Sequence, residues 1–237
     1  MSMRNALRGS LALAMLAATW QVAAASFGLS PIGVTIGAGA LSGSVVITNT
    51  GTDEVVIQAR PYSWIQDGAE SRADTREVVI NPPIFKLAAG EQQLVRIASR
   101  TAPPQQVERA YRLVFTELPP SNPDAAGFRI SVAMDIPLYV EPVVPTSPQL
   151  VWRLEPTATG ARLIAENSGG RHFRLRDVRM EKGAEAVHSM PRIVVLAKST
   201  LVIDLPDAAK NTQTLRVIGQ DDADQPVSID ITSARAP

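Results

Sequence analysis

Apolar and polar residues alternate along most of this 237-residue chain, and this pattern limits the possible folds more than any other feature of the sequence. Successive side chains of a β-strand point to opposite faces, so a period of two predicts strands that are buried on one face. About seven such strands fit before residue 141. The clearest are Ser44 to Thr48, Val55 to Ala59, Leu94 to Ala98, Tyr111 to Thr116 and Phe128 to Val140.

A second series of alternating segments follows a proline-rich stretch. Glu141 to Pro148 contains three prolines, which cannot continue the interior of a sheet and indicate a stiff connector. We therefore expect an all-β chain of two antiparallel sandwiches, with domains at 26–141 and 149–237 and a hinge at 142–148. The second series comprises Leu150 to Leu154, Ala161 to Glu166, Phe173 to Met180, Ile193 to Leu196, Thr200 to Leu205, Thr214 to Ile218 and Val227 to Ile231.

Turn-forming residues lie between the predicted strands. Gly, Pro, Asn and Asp adopt turn conformations at little cost, so their clusters mark chain reversals. The clusters in the first domain are Asn49 to Thr52, Gln66 to Gly68, Ala88 to Glu91 and Pro119 to Pro123.

The N-terminal residues have the layout of a secretory signal peptide. Arg4 and Arg8 precede the apolar run Leu11 to Ala18. The small residues Ala23 to Ala25 then provide a cleavage site before Ser26. Because the apolar run is shorter than the span of about 20 residues that crosses a membrane, we expect residues 1–25 to be removed and the protein to be exported without membrane insertion. An uncleaved N-terminal anchor is the alternative.

The composition argues against most catalytic and metal-binding chemistry. Basic and acidic residues number 23 each, so no net charge attracts nucleic acid. Cysteine is absent and the histidines are limited to His172 and His188, which excludes or nearly excludes disulfides, zinc clusters and thiol nucleophiles. We expect both histidines to be surface or loop residues. The sequence therefore predicts no enzymatic activity, no cofactor and no small-molecule substrate.

Two segments resemble ligand-binding motifs only in part. The glycines between Gly37 and Gly43 approach a dinucleotide fingerprint, but Ser42 replaces the third glycine and a strand pattern follows where a helix is required. The acidic residues between Asp221 and Asp224 lack the glycine and the distal glutamate of a calcium loop. We interpret the first segment as part of a β-domain and the second as a solvated turn.

The segment from Phe128 to Val140 carries an unbroken apolar face, because every even-numbered residue in it is apolar. Pro137 lacks an amide hydrogen, so the strand should lie at a sheet edge. A long apolar edge invites aggregation unless another chain pairs with it, as in strand addition. The alternative is that both faces of this strand are covered within its own domain.

Three motifs in series resemble the periplasmic pilus chaperones of the chaperone/usher pathway. Asn81 to Ile97 resembles the family's signature, Tyr111 to Pro120 resembles its next strand, and Phe128 to Pro142 falls where the family keeps its donor strand. In the second domain the best match is Glu166 to Gly169. With no cysteine and a short loop from Pro119 to Gly127, the chain looks more like the archaic branch than the long-loop branch.

The resemblance implies two immunoglobulin-like sandwiches at an angle, with a cleft between them, in a periplasmic protein. A pilus (fimbrial) subunit lacks one strand of its sandwich, and the chaperone supplies that strand from its own sheet edge. Phe128, Ile130, Val132 and Met134 would then enter the subunit. The resemblance also implies that an outer-membrane usher receives the subunit.

In this family a basic pair in the cleft holds the C-terminal carboxylate of the subunit. The corresponding positions here are about Gly33 and Pro137, and neither can bind a carboxylate. A carboxylate removed from water needs a charged and preferably bidentate partner. We expect Arg112 to serve, because its strand should neighbour the donor strand, with Arg96 as the second candidate. The alternative is that Arg112 is an ordinary surface arginine.

The resemblance also implies salt bridges across the domain hinge, for which Glu108, Glu141 and Asp221 are the candidates. Glu141 stands where the family has an arginine.

A structural pilin or tip adhesin is the alternative function, but it should have one incomplete domain and a free N-terminal extension. A secreted hydrolase or carbohydrate-binding module should present more aromatic residues than Trp64 and Trp152, the tryptophans left after the signal peptide is removed.

Overall fold

The structure is a computed structural model that describes residues 27–119 and 131–233. The predicted signal peptide and the predicted donor residues Phe128 and Ile130 lie outside these ranges. The described residues fold into β-strands and one three-residue 3-10 helix, Asp207–Ala209. Among them, no helix is long and apolar enough to cross a membrane. The all-β prediction is therefore confirmed.

The first sandwich packs two sheets around one core. One sheet has the order β1-β3-β7-β5, and the other runs β4-β8-β9-β2 with β6 added at β4. Inward-facing apolar residues such as Ile47, Val95 and Leu113 are fully buried between them. The strands are β1 (Phe27–Ser30), β2 (Val34–Ile36), β3 (Ser42–Asn49), β4 (Val55–Asp74), β5 (Val78–Asn81), β6 (Ile84–Leu87), β7 (Gln92–Ser99), β8 (Arg109–Leu118) and β9 (Ala133–Val140).

The second sandwich has its own core, in which Leu163, Leu175 and Leu215 are fully buried. One sheet runs β10-β11-β14 and the other β13-β12-β15-β16. The domain boundaries stay a prediction, although each core draws on one side of the proline-rich stretch. The strands are β10 (Leu150–Thr157), β11 (Gly160–Asn167), β12 (Phe173–Lys182), β13 (Glu185–Val195), β14 (Ser199–Leu205), β15 (Thr214–Gln220) and β16 (Pro226–Thr232).

The edge of the larger sheet differs from the prediction. β9 pairs with β8 along its whole length, but its other side pairs in parallel with β2 from Leu138 to Val140. Within the described residues, the unpaired edge is therefore confined to Ala133–Pro137. Pro137 lies at the end of this open edge, where a missing amide donor is tolerated.

The predicted turn at Gln66 to Gly68 lies inside the span of β4. The Arg72 guanidinium is 5.8 Å from the ring centroid of Tyr62, whereas ten residues of straight strand would separate them by about 33 Å. The chain must therefore reverse between them, and Gly68 has the positive φ of 75° that a tight turn uses. Asp67 and Gly68 pair in parallel with β14 of the second sandwich, so one sheet extends across both domains.

The proline-rich stretch is held by backbone contacts. The amides of Val143 and Val144 donate to the carbonyl oxygens of Pro104 and Gln105. A side chain on Gly170 would overlap the carbonyl oxygen of Gln106 and the Thr146 side chain. The absence of a side chain on this glycine therefore allows the second sandwich to approach the hinge closely.

We expect Gly170→Ala to destabilise the protein by about 1 to 3 kcal/mol, because the added methyl group overpacks a rigid backbone contact. The free energy of unfolding, measured by urea denaturation, tests this. Gly39→Ala is the matched control, since no atom lies within 4 Å of a methyl group added there. Equal stability of the two variants would contradict the close approach.

Candidate functional site

The apolar row of β9 emerges from the core toward the beginning of the strand. Leu138 is 0% exposed and Ile136 is 5% exposed. Met134 and Val132 are only half-buried, and both pack against the rim of the first core. The row therefore continues the core face onto an incompletely covered surface, beside the open edge of Ala133–Pro137.

On the opposite face of this sheet, side chains of neighbouring strands lie beside one another, and part of this face contacts the second domain. Tyr62, Arg112 and Pro137 are paired across β4, β8 and β9, so their side chains share one face. A side chain on Gly33 would lie 3.4 Å from Pro137 Cγ. The two positions where the resemblance expects basic residues are thus neighbours, and Arg112 lies one strand farther in.

The guanidinium of Arg112 is almost withdrawn from water, with its side chain 8% exposed. Its Cζ lies 3.7 Å from the ring centroid of Trp64, a cation–π contact. Arg112 Nη2 is 3.5 Å from Glu70 Oε2, and Arg112 Nε is 3.8 Å from Asp135 Oδ1. Both carboxylates lie beyond the 2.7 to 2.9 Å typical of a strong charged hydrogen bond. Neither carboxylate therefore holds the guanidinium by a short charged hydrogen bond.

Arg96 lies elsewhere. It is exposed on β7, in the other sheet of the first sandwich, where it pairs with Ser44 and Asn81. The structure therefore does not bring Arg96 together with Arg112 or with the open edge of β9.

A cavity of about 390 Å³ lies on the Arg112 side of the sheet, lined by Tyr62, Arg72, Asp74 and Val114. Arg72 Nη1 is 2.7 Å from Asp135 Oδ2. The returning arm of β4 thus brings a second arginine to the face that carries Arg112.

His172 lies in the loop before β12, as expected, but its side chain is not at the surface. His172 Nδ1 lies 2.7 Å from Glu108 Oε1, which also accepts the His172 amide at 3.2 Å. The Glu108 side chain is 1% exposed and that of His172 is 7% exposed. His188 is half-buried on β13 instead of lying in a loop. The sequence missed the burial of His172 because both the covering residues and the carboxylate partner are distant in the chain.

Aromatic rings extend the Glu108–His172 contact into a cluster between the two domains. The Tyr139 ring stacks on His172 with centroids 3.8 Å apart, and Trp64 lies 6.2 Å from Tyr139. Val194 and Leu196 of the second sandwich complete the cluster. Burial raises the pKa of Tyr139 above its ordinary value, and the negative charge of Glu108 raises it further. Packing and stacking therefore form the central part of the interdomain contact.

Gln66 is a further interdomain residue that sequence reasoning missed. Its Nε2 donates to the carbonyl oxygen of Val194, and its Oε1 accepts the amide of Leu196, both at 2.9 Å. A buried amide that satisfies two backbone groups of another domain fixes the relative position of both segments. The turn pattern of Gln66 to Gly68 was the available signal, but it did not indicate a distant partner.

The remaining hinge candidates have different surroundings. Arg171 Nη2 lies 3.2 Å from Glu141 Oε1 in a partly exposed pair. The Asp221 carboxylate accepts the amides of Ala223 and Gln225 in its own turn. These bonds are local, so they give the predicted interdomain role of Asp221 no support.

The sequence profile described as "Pili and flagellar-assembly chaperone, PapD N-terminal domain" matches residues 26–144, slightly more than half of the chain. The chain belongs to this family. Among curated members, the uncharacterized fimbrial chaperone YhcA of Escherichia coli is 26% identical over 92 residues, 39% of this chain. Chaperone protein PapD of Escherichia coli is 28% identical over 102 residues. The matches span 41% and 42% of these two relatives.

Solved structures resemble this pilus-chaperone family member over most of its length. A chain of the CsuC-CsuE chaperone-tip adhesion subunit pre-assembly complex of Acinetobacter baumannii has a TM-score of 0.69 and 22% identity. The match covers all of that chain and 89% of this chain. A chain of the SafA pilin and SafB chaperone complex of Salmonella enterica has a TM-score of 0.64 and 18% identity, with 96% of it and 87% of this chain covered. These similarities confirm the two-domain immunoglobulin-like fold.

Proposed function

We propose that this chain is a periplasmic chaperone that binds pilus subunits by donor-strand complementation and delivers them to an outer-membrane usher. The observation that carries the proposal is the open edge of Ala133–Pro137, beside an apolar row that leaves the core at Met134 and Val132. The relative named as a fimbrial chaperone, and the complexes with a tip subunit and with a pilin, support it. We assign residues 1–25 to a signal peptide and the chain to the archaic branch.

The four predicted donor residues can supply a large binding free energy. Full burial of one large apolar side chain contributes about 1.5 to 3 kcal/mol. Phe128, Ile130, Val132 and Met134 would therefore contribute at most roughly 6 to 12 kcal/mol before main-chain hydrogen bonds and the cost of association, because Val132 and Met134 are already half-buried in the free protein. This amount is sufficient to hold a subunit that would otherwise expose the groove of its missing strand.

The position of β2 limits where the strand of the bound subunit can lie. β2 occupies the edge of β9 from Leu138 onward, so an added strand has to end beside Pro137 and Gly33. Arg112 belongs to the same cross-strand row as Pro137. A strand that runs parallel to β9 would therefore bring its C-terminal carboxylate close to this guanidinium, which supports Arg112 as the anchor.

Co-expression with exported β-rich proteins encoded nearby, followed by purification from the periplasm, tests the function. We expect the chaperone to form a 1:1 complex with a pilus subunit. Failure to hold any such protein would contradict the proposal. The pilin alternative has less support, because it expects one incomplete domain whereas two sandwiches with separate cores are described.

We expect Arg112→Ala to lower the yield of the complex between chaperone and pilin about tenfold or more, since a charged hydrogen bond contributes about 1.5 to 3 kcal/mol. The yield after co-purification measures this loss. Because Arg112 also stacks on Trp64, Arg112→Lys separates loss of charge from loss of the planar bidentate group. Arg96→Ala is the control on the other sheet. An unchanged yield with Arg112→Ala, or a loss with Arg96→Ala alone, would contradict Arg112 as the anchor.

A further inference from the structure

Arg112 already faces two carboxylates of its own chain. Glu70 and Asp135 approach the guanidinium at 3.5 and 3.8 Å, so the chain presents to Arg112 the same chemical group as the C-terminus of a bound pilin. Since both contacts are long, neither carboxylate has the tight bidentate geometry that an external ligand could adopt. Arg112 is therefore partly neutralised without being fully bound.

The two carboxylates differ in how firmly they are held. Asp135 accepts a hydrogen bond from Arg72 at 2.7 Å and lies on β9, which is paired with β8. Glu70 lies on the returning arm of β4, and its side chain is 45% exposed. Glu70 can therefore rotate into water at low cost, whereas Asp135 loses a tight ion pair if it moves.

We propose that Glu70 is an internal competitor that a carboxylate ligand displaces from Arg112, an inference that rests on the proposed carboxylate-binding role of this arginine. The charges of Arg72 and Arg112 balance those of Glu70 and Asp135 across these contacts. A further carboxylate would leave the cluster with an excess negative charge unless Glu70 moves away. Glu70 thereby lowers the affinity of Arg112 for the C-terminal carboxylate of the bound pilin and favours later release of the pilin.

Acetate, with uncharged acetamide as the control, tests the competition without any bound pilin. The Arg112 Nε–H signal is followed by nuclear magnetic resonance in isotopically labelled full-length protein. Because the Arg112–Glu70 contact is long and its carboxylate is exposed, its coupling energy is small, so we expect Glu70→Gln to bind acetate about two- to fivefold more tightly than the unsubstituted protein. Glu70→Asp, which shortens the side chain, should change affinity in the same direction.

Glu54→Gln is the matched control for loss of one negative charge, because Glu54 pairs with Lys86 at 3.1 Å in another part of the sandwich. It should leave acetate affinity unchanged. Equal acetate affinities of the Glu70 variants and the unsubstituted protein would overturn the proposal. An equal gain in Glu54→Gln would also overturn it, because the effect would then reflect net charge alone.

The captured pilin provides a second measurement. We expect its complex with Glu70→Gln to dissociate about two- to fivefold more slowly. If acetate affinity rises but no variant captures a pilin, the proposed function fails and the competition stands. If capture depends on Arg112 while Glu70→Gln alters neither acetate affinity nor dissociation, the competition fails and the proposed function stands.

Discussion

Val132→Asp is expected to abolish capture of the pilus subunit while the chaperone remains folded. In the free protein Val132 is half-buried at the rim of the first core, so a charge there can still reach water. In the proposed complex the same side chain enters an apolar groove, where an unpaired carboxylate costs several kcal/mol. We therefore expect at least about a hundredfold loss of affinity, measured by co-purification of the complex.

Ala133→Asp is the matched control for this change. Ala133 is exposed on the neighbouring position of β9, whose side chain points to the opposite face of the sheet. It should retain the subunit, and both variants should show the circular dichroism spectrum of the unsubstituted protein. Ile130→Asp, chosen from the sequence pattern, should behave as Val132→Asp does. Retention of the subunit by a folded Val132→Asp protein would show that the donor assignment is wrong.

The alternation of the sequence predicts the interiors of the long strands well, because burial on one face leaves a local pattern. Ser44 to Thr48 lies within β3, and Tyr111 to Thr116 lies within β8. β2 has only three residues and β6 only four, too few for a period to be distinguished. Strands this short therefore cannot be predicted from hydrophobic periodicity.

Strand pairing leaves a weaker trace in the sequence than strand formation. The parallel contact of β2 with β9 restricts the open edge, and that of β4 with β14 joins the domains. Both join segments more than a hundred residues apart in the chain, and no local residue pattern encodes such a pairing. The sequence could therefore predict a strand that contains Ala133–Val140 but not the extent of its open edge.

Two asparagines at corresponding places show a structural similarity between the domains. Asn49 ends β3, where its side chain donates to the carbonyl oxygens of Asp53 and Leu87 and accepts the Gly51 amide. Asn167 ends β11, and its side chain also bonds backbone groups, including the Gly169 amide. Each domain thus uses a buried amide to hold the chain that leaves a central strand.

The two glutamates at the hinge show that residue type does not report burial. The sequence predicts ionic contacts for both Glu108 and Glu141, but Glu108 is buried against a histidine whereas Glu141 is half-exposed beside an arginine. Burial decides the energetic consequence of each pair, because exposed ion pairs are screened by water whereas a buried carboxylate depends on its partner. Burial here arises from contacts between two domains, which no local pattern reports.

His172→Ala is expected to destabilise the protein by about 3 to 5 kcal/mol, because it leaves the buried Glu108 carboxylate without its side-chain partner. It also removes the ring that stacks on Tyr139. Glu108→Gln should cost less, since an uncharged amide of the same shape can still accept a hydrogen bond. Urea denaturation followed by tryptophan fluorescence measures both changes, and Trp64 reports on the interdomain cluster directly.

His188→Ala and Arg171→Ala distinguish a local interdomain effect from general loss of a side chain. His188 is half-buried on β13, and Arg171 forms the partly exposed pair with Glu141, so each should cost about 1 kcal/mol or less. If His172→Ala is no more destabilising than these controls, the buried pair does not hold the domains together. If it is the most destabilising and small-angle scattering shows a changed interdomain angle, the buried Glu108–His172 contact holds the two domains in their relative orientation.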